Sequence, residues 1–371
     1  MEFNKSNPGI RFAAGEQLLF FSTLRQRVDE YFEKKKLSPH ANVGMVVKTI
    51  SLLTAYVIPF IFMLVFKPPF IVVILCWSIM GFAMAGLGMS VMHDANHGAY
   101  SGNEKVNRWV GYSLNLLGGT ILNWKIQHNV LHHTYTNISG MDDDIDSKAL
   151  LRFSPHTEKK KVHRHQWYYA FLFYAVLTLY WGLLKDVVQY YQYRKAGLNR
   201  SKPKQNALWI ARVTFLKLCY FFVLIALPIM VGIPFYRVLI GFLICQAIAG
   251  LILSIVFQLA HTVEETDFPM PDGEGAMKNS WAVHQLSTTM DFARHNKLLS
   301  WYVGGLNFQV EHHLFTRICH VHYPAISEIV KETATEFGVP YLEKRTVWDA
   351  FKSHVRLLKQ NGAPRLSEIG G

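Results

Sequence analysis

Four long apolar runs alternate with polar stretches along the chain, at residues 43–66, 70–92, 209–232 and 236–260. The first run carries one charge near its start, Lys48, and the second carries none. At a helical rise of about 1.5 Å per residue, each run is long enough to cross a hydrocarbon layer roughly 30 Å thick. Only short turns, at 67–69 and near 232–234, separate the two members of each pair. The pattern therefore predicts two transmembrane helical hairpins.

A fifth apolar run, at residues 167–184, is only about as long as the shortest membrane span. If the histidine clusters described below face one compartment, a single crossing here would put His261 on the side opposite His93. The run is rich in Trp and Tyr, as segments at a membrane interface are. We predict an interfacial helix at 167–184, with a fifth span as the alternative.

Composition agrees with a membrane protein, because 50% of the residues are hydrophobic and only 17% are charged. The net charge of +12 lies mostly outside the two short turns, which is more typical of loops held in the cytoplasm than of nucleic-acid binding. We predict an all-α integral membrane protein with a cytoplasmic helical cap. Its parts are a cytoplasmic N-terminal arm (1–42), the first hairpin (43–92), a cap segment with the interfacial helix (93–208), the second hairpin (209–260), and a cap segment with the C-terminal tail (261–371).

Eight histidines gather near the ends of the predicted spans: His93, His97, His128, His132, His133, His261, His312 and His313. On an α-helix, residues four apart share a face, so His128 and His132 would point the same way and His133 would be offset by about 100°. Protonated histidines packed together would repel one another, so a dense neutral cluster fits best around cations.

The number of imidazoles predicts two metal ions, since a zinc site uses three or four protein ligands. Imidazole suits zinc, copper, iron and nickel, so the ligand type leaves the metal open. A metal pair beside the bilayer is well placed for chemistry on acyl chains, and cleaving an unactivated C–H bond needs activated oxygen. That chemistry favours iron.

The segments HDANH, HNVLHH and QVEHH, separated by the hairpins, resemble the histidine boxes of membrane fatty acid desaturases. Gln309 stands at the first position of the third box, a variant similar to the front-end and linoleoyl-CoA desaturase-like branch. The resemblance implies a four-span, mushroom-shaped fold, two non-haem irons held by the eight histidines, and O2-dependent insertion of a cis double bond into an acyl chain. It implies no catalytic residue separate from the metal ligands.

Other polar residues near the boxes are candidates for supporting roles. The candidates for residues that hydrogen-bond the metal ligands are Gln309, Gln258, Asp94, Glu264, Asp142 and Glu311. The acidic loop residues Asp143, Asp144 and Asp146 are further candidates for this role. The alternative is that the loop is solvated and does not contact the metal ligands. Candidates for the lining of an acyl tunnel are Asn115, Trp124 and Asn307.

Many front-end desaturases carry a fused cytochrome b5 domain with an HPGG motif, which this sequence lacks. We therefore expect electrons from a separate ferredoxin or cytochrome b5, and an acyl-CoA or acyl-lipid substrate in the bilayer. The sequence leaves two other functions open. These are a lipid or hydrocarbon hydroxylase on the same scaffold and, in another class, a membrane metal carrier.

Overall fold

The computed structural model describes residues 9–15, 17–146, 150–199 and 202–363. The ends of the predicted arm and tail, residues 1–8 and 364–371, lie outside the described residues. The described chain is mostly helical. Its named strands, β1 (Asp291–Phe292) and β2 (Glu343–Lys344), form one short parallel pair that the all-α prediction did not include.

The helices follow one another along the whole described chain. In order they are α1 (Gln17–Lys35), α2 (Val43–Phe66), α3 (Phe70–Gly86), α4 (Met92–His97), α5 (Glu104–Gly111), α6 (Ile121–Trp124), α7 (His133–Tyr135), α8 (Gln166–Ala175), α9 (Leu177–Tyr180), α10 (Asp186–Lys195), α11 (Pro203–Phe221), α12 (Leu227–Met230), α13 (Phe235–His261), α14 (Trp281–Thr288), α15 (Lys297–Tyr302), α16 (Gln309–Leu314), α17 (Tyr323–Glu336) and α18 (Val347–Gly362). Segments of π-helix lie at Leu87–Val91, Lys125–His132, Trp181–Lys185 and Phe222–Ala226, and 3-10 turns at Tyr112–Leu117, Lys161–His165 and His320–His322.

Four helical stretches of the described residues are long and apolar enough to cross a membrane: Val43–Phe66, Phe70–His97, Pro203–Met230 and Phe235–His261. Each contains most of one predicted run, so the two pairs of apolar helices are confirmed. The second stretch runs past the predicted end and carries His93 and His97 on its last turns. The four helices are consistent with a multi-pass membrane protein.

Local sequence explains where these helices begin and end. The Asn42 side chain accepts a hydrogen bond from the Met45 amide at 3.0 Å and so caps the start of α2. Lys67 ends α2 in the left-handed conformation, and the two prolines that follow it cannot continue the helix. Gly98, at φ 80°, ends α4 directly after His97, because glycine adopts this conformation without steric cost.

The fifth apolar run forms a bent helix pair. Lys161–Ala175 and Leu177–Lys195 meet at an angle of 54° and together have the length and composition of one broken span or of a re-entrant segment. The Thr178 hydroxyl, next to the break, donates to the Gln246 carbonyl at 2.8 Å. The interfacial position of 167–184 therefore stays a prediction.

The described chain divides into two compact units. Unit 1 comprises described residues within 1–40, 125–171 and 256–371, and unit 2 comprises those within 41–124 and 172–255. In unit 1, one face of α1 is buried, with Phe20, Leu24, Val28 and Phe32 recurring every four residues. This face shares a core with Val310 and Leu314 of α16 and with the apolar face of α17. The third histidine box therefore lies on a short helix held from two sides.

Candidate metal centre

The second histidine box lies in a π-helical turn rather than in the expected α-helix. Lys125–His132 has π geometry, in which the backbone hydrogen bonds join residues five apart, so side chains five apart can meet as well as those four apart. His128 and His133 consequently meet, with their Nε2 atoms 3.3 Å apart. The wider turn therefore brings His133 next to His128, a contact that the α-helical expectation did not include. The ring centroids of His128 and His132 are also close, at 5.1 Å.

Two aspartates of the following loop fix the orientation of this box. His132 Nδ1 lies 3.0 Å from Asp142 Oδ2, and His128 Nδ1 lies 3.0 Å from Asp144 Oδ2. Asp142 also accepts the backbone N–H groups of Asn137 and Asp144, both at 2.9 Å, so the loop is folded around its carboxylate. With Nδ1–H committed to a carboxylate, Nε2 is the nitrogen left for a metal.

The charge environment of His132 follows from these contacts. Burial by itself lowers the pKa of His132, but the Asp142 and Asp144 carboxylates outweigh it and hold the pKa above its ordinary value. Its Nε2 atom is buried and accepts no hydrogen bond from any described residue.

The third box is held by residues from other segments of unit 1. His313 Nδ1 lies 2.7 Å from Gln285 Oε1 on α14, and Gln285 Oε1 also accepts from the Thr136 hydroxyl at 2.8 Å. His312 Nδ1 lies 3.2 Å from the Tyr323 hydroxyl. The Nε2 atom of His313 is buried, without a hydrogen-bond partner among the described residues. Burial, and then the neighbouring imidazoles, lower the pKa of His313 well below its usual value.

Six of the eight predicted ligands converge in unit 1. Nitrogens of His132, His261 and His313 lie within 4.8 Å of one another, as do nitrogens of His133, His312 and His313. His313 belongs to both groups, so the two triads are adjacent. Near His261, the Gln309 amide nitrogen lies 2.7 Å from His261 Nε2.

This donor set fits a metal better than it fits a protein core. Buried polar atoms normally have hydrogen-bond partners, yet His132 and His313 each direct a bare Nε2 into the cluster. Neutral imidazoles whose Nδ1 is held by a carboxylate or carbonyl oxygen are typical of transition-metal sites. The residues present therefore fit non-haem iron, which the resemblance implies.

The first box lies in unit 2, on the last turns of a candidate span. The rings of His93 and His97 are 4.7 Å apart, and Trp124 packs edge-on against both, at 5.7 and 5.5 Å. The π-helical segment Leu87–Val91 directly precedes this box. Asp94, between the two histidines, is also buried.

The other candidates occupy varied places. Asp142 contacts a box histidine. Gln258 Oε1 accepts from the Thr262 hydroxyl at 2.5 Å, and Asn307 donates to the Phe292 carbonyl at 3.1 Å. Glu264 is bound instead by Gln360, at 2.6 Å, and by Arg356 of α18. Asn115 is half-buried in a 3-10 turn of unit 2, and its carbonyl accepts from Gly118.

A buried acidic pair lies behind the third box, and of its two members the sequence-based prediction included Glu311 but not Asp291. Asp291 Oδ1 accepts the Val310 N–H of α16 at 3.0 Å, and the Tyr341 hydroxyl lies 2.6 Å from Asp291 and 3.0 Å from Glu311. Burial raises the pKa of Asp291 to about 6, and burial and the Asp291 charge raise that of Glu311 well above its usual value. Asp291 and Tyr341 belong to no histidine box and lie 20 and 30 residues from Glu311 in sequence, so no local pattern predicts their contact with it.

Comparison with known proteins finds relatives that match most of the chain. The model of the family described as fatty acid desaturase matches residues 68–345. A sn-1 linoleoyl-lipid 6-desaturase of Synechocystis is 37% identical over 92% of this chain and 95% of its own length. The enzyme of that name from Arthrospira platensis is 36% identical over 93% of each chain. An acyl-lipid (8-3)-desaturase of Physcomitrium patens is 33% identical over 95% of this chain and 74% of its own.

Proposed function

Because the chain belongs to the fatty acid desaturase family and is an oxidoreductase that desaturates fatty acyl chains, we propose that it acts at two non-haem irons on acyl chains of membrane lipids. The relatives named above are desaturases, which favours desaturation over the hydroxylation and metal transport that the sequence left open. The observation that carries the iron site is the convergence of six buried imidazoles in unit 1.

We assign the two irons to eight ligands: His93, His97, His128, His132, His133, His261, His312 and His313. The number of imidazoles supports two ions rather than one. Bound iron supplies the activation of O2 that removing hydrogen from unactivated carbons requires. Overall, the acyl chain loses two hydrogens, and two external electrons and two protons complete the reduction of O2 to two waters.

The chain's own residues prepare the site for that chemistry. Asp142 and Asp144 hold His132 and His128 in the tautomer with Nε2 available. Gln285 does the same for His313 through its amide oxygen. Complete burial of His132 and His313 keeps bulk water from the ligands. Gln309 and Gln258 are proposed to support His261 and its helix, and Trp124, Asn115 and Asn307 to line the acyl path.

The carrier of the acyl chain is proposed to be a lipid rather than coenzyme A. The support is that the relatives act, by name, on linoleoyl-lipid and acyl-lipid substrates. Pulse-labelling a host that expresses the chain would separate the carriers. New double bonds should appear first in intact glycerolipids, and their earlier appearance in acyl-CoA would contradict the proposal.

The electron donor is proposed to be a separate ferredoxin or cytochrome b5, and the site to face the cytoplasm. Support for the cytoplasmic side comes from the distribution of Lys and Arg, nearly all of which lie outside the two short turns. The boundaries 1–42, 93–208 and 261–371 are the proposed cytoplasmic parts. Reconstitution with each reduced donor, monitored by product formation, tests the first assignment.

The ligand assignment is tested by replacing one histidine at a time. His132→Ala should abolish desaturation and lower the iron content of the purified protein, with normal chromatographic behaviour. His295→Ala is the matched control, since His295 is exposed and lies outside the cluster. Full activity with unchanged iron in His132→Ala would contradict the assignment.

A further inference from the structure

Helix α18 carries a basic stripe with an exposed tryptophan. Trp348, Lys352, Arg356 and Lys359 are all exposed and recur every three or four residues, which places them on one side of the helix. The opposite side is buried and includes Ala350, His354, Leu357 and Leu358. The side chain of Trp348 is 60% exposed, which is unusual for the largest apolar residue.

The aromatic and cationic groups of this stripe are in mutual contact. The Lys352 ammonium lies 5.4 Å from the Trp348 ring centroid, and Trp348 stacks on Phe351 at 5.4 Å. The Lys359 ammonium lies 4.2 Å from the ring centroid of Trp167 on α8. These cation–π contacts keep the charges beside apolar rings rather than extended into water.

The stripe contacts the first turns of the apolar helix α8. Phe351 of α18 contacts Phe171 of α8 at 5.5 Å, and Tyr168 of α8 is exposed beside Trp167. Helix α8 is part of the bent pair that has the length and composition of a membrane segment. We define the α18 patch as Trp348, Lys352, Arg356, Lys359, Trp167 and Tyr168.

We propose that the α18 patch binds anionic lipid headgroups at the bilayer surface. Trp and Tyr beside Lys and Arg are the residues that anchor proteins at the membrane–water boundary. Arg356 has an acidic neighbour, Glu264 at 3.4 Å, but neither Lys352 nor Lys359 has an ion-pair partner among the described residues. Two ammonium groups are thus available for lipid phosphates.

Lipid explains the patch better than an acidic protein partner does. Positive charge would attract either one. The patch is also continuous with an apolar helix and exposes Trp348. These apolar features fit a bilayer interface, whereas binding of an acidic protein by charge does not need them. The proposal depends on the chain being embedded in a membrane, but on neither the iron count nor the acyl carrier.

The test uses the whole protein, reconstituted in phosphatidylcholine vesicles with a trace of spin-labelled lipid. Electron paramagnetic resonance measures the fraction of labelled lipid immobilised by the protein. The wild type should immobilise phosphatidylglycerol about twofold more than phosphatidylcholine at low salt, and the preference should shrink as salt screens the charges. The variant K352Q/K359Q/W348A should lose most of this preference.

The matched control is K278Q/K297Q/W301A, which likewise removes two exposed lysines and one exposed tryptophan of unit 1, all outside the patch. It should keep the wild-type preference. Equal losses in patch and control variants, or no loss in either, would overturn the proposal. So would a patch variant with unchanged lipid preference but slower reduction by an acidic ferredoxin, which would assign the patch to the electron donor.

Discussion

At the scale of single residues, the carboxylate of Asp142 decides which nitrogen of His132 faces the cluster. Each of its two oxygens accepts a hydrogen bond from a backbone N–H group of the loop, and His132 Nδ1 lies within hydrogen-bond distance of both. An amide at this position has only one acceptor oxygen. The loop and the imidazole would then compete for it.

Asp142→Asn should therefore weaken iron binding by about 10–100-fold, the usual effect of losing a group that orients a metal ligand. Iron content after dialysis against a graded series of chelator concentrations measures this. Asp146→Asn is the control, because Asp146 is an exposed carboxylate of the same loop. Identical retention of iron in the two variants would show that Asp142 does not orient the ligand.

Residues that lie close in sequence could be predicted, and residues recruited from a distance could not. The box histidines are visible because a spacing of one to five residues is a local pattern. Gln285, Thr136 and Tyr323 contact them from other segments, where one buried polar residue has no distinguishing pattern. Asp142 was within reach of prediction only because its acidic loop follows the second box.

At the scale of elements, the apolar helices were predictable because hydropathy over about 20 residues is a strong signal. The contacts between the packed faces of these helices could not be predicted in the same way. Gly241 on α13 lies against Trp77 on α3, so closely that a methyl group there would overlap the indole. Small residues allow such close helix approach in membrane proteins.

Gly241→Ala should lower the free energy of unfolding by about 1–3 kcal/mol, the cost of overpacking a filled contact. Thermal unfolding in detergent measures this. Gly273→Ala is the control, since a methyl group at Gly273 meets no atom within 4 Å. A melting temperature unchanged in both would mean that Trp77 moves aside at little cost.

Helix α18 is attached to the residues after α13 through a neutral histidine. His354 Nδ1 lies 2.7 Å from the Thr262 carbonyl, and burial lowers the pKa of His354 to about 4. In the unfolded chain the pKa is about 6.5, so between these values the unfolded state binds a proton that the folded state does not. Stability is therefore full above pH 6.5 and is lost as the pH falls towards 4.

The contribution of His354 to this loss should reach roughly 3 kcal/mol at pH 4. His354→Gln cannot be protonated, so its melting temperature should fall less steeply between pH 7 and pH 4.5 than that of the wild type. His295→Gln, at an exposed position, should follow the wild-type slope. Parallel slopes for all three proteins would remove His354 as a source of acid lability.

At the scale of the whole molecule, hydropathy predicts how many segments are apolar but not on which side each loop lies. The bent pair Lys161–Ala175 and Leu177–Lys195 is the segment on which the topology depends. If it stays on one side of the bilayer, Lys195 and Lys278 lie on the side opposite Lys67. If it crosses, both lie on the same side as Lys67.

We expect single cysteines at Lys195 and Lys278 to react with a membrane-impermeant maleimide only after cells are opened, and one at Lys67 to react in intact cells. All three side chains are exposed, so accessibility within the protein is matched. The background should carry Cys219→Ser, because Cys219 is the one native cysteine that is not buried. Labelling of Lys195→Cys in intact cells would establish a fifth crossing.

The π-helical turn at Lys125–His132 has a consequence for how this site tolerates change in sequence length. Such a turn amounts to an α-helix that holds one surplus residue. Deleting one residue between the two histidines, such as Asn129, would restore ordinary winding and leave His128 and His133 four residues apart, a spacing at which side chains are neighbours on an α-helix. A sequence one residue shorter would therefore reach the same contact between these two ligands with an ordinary helix.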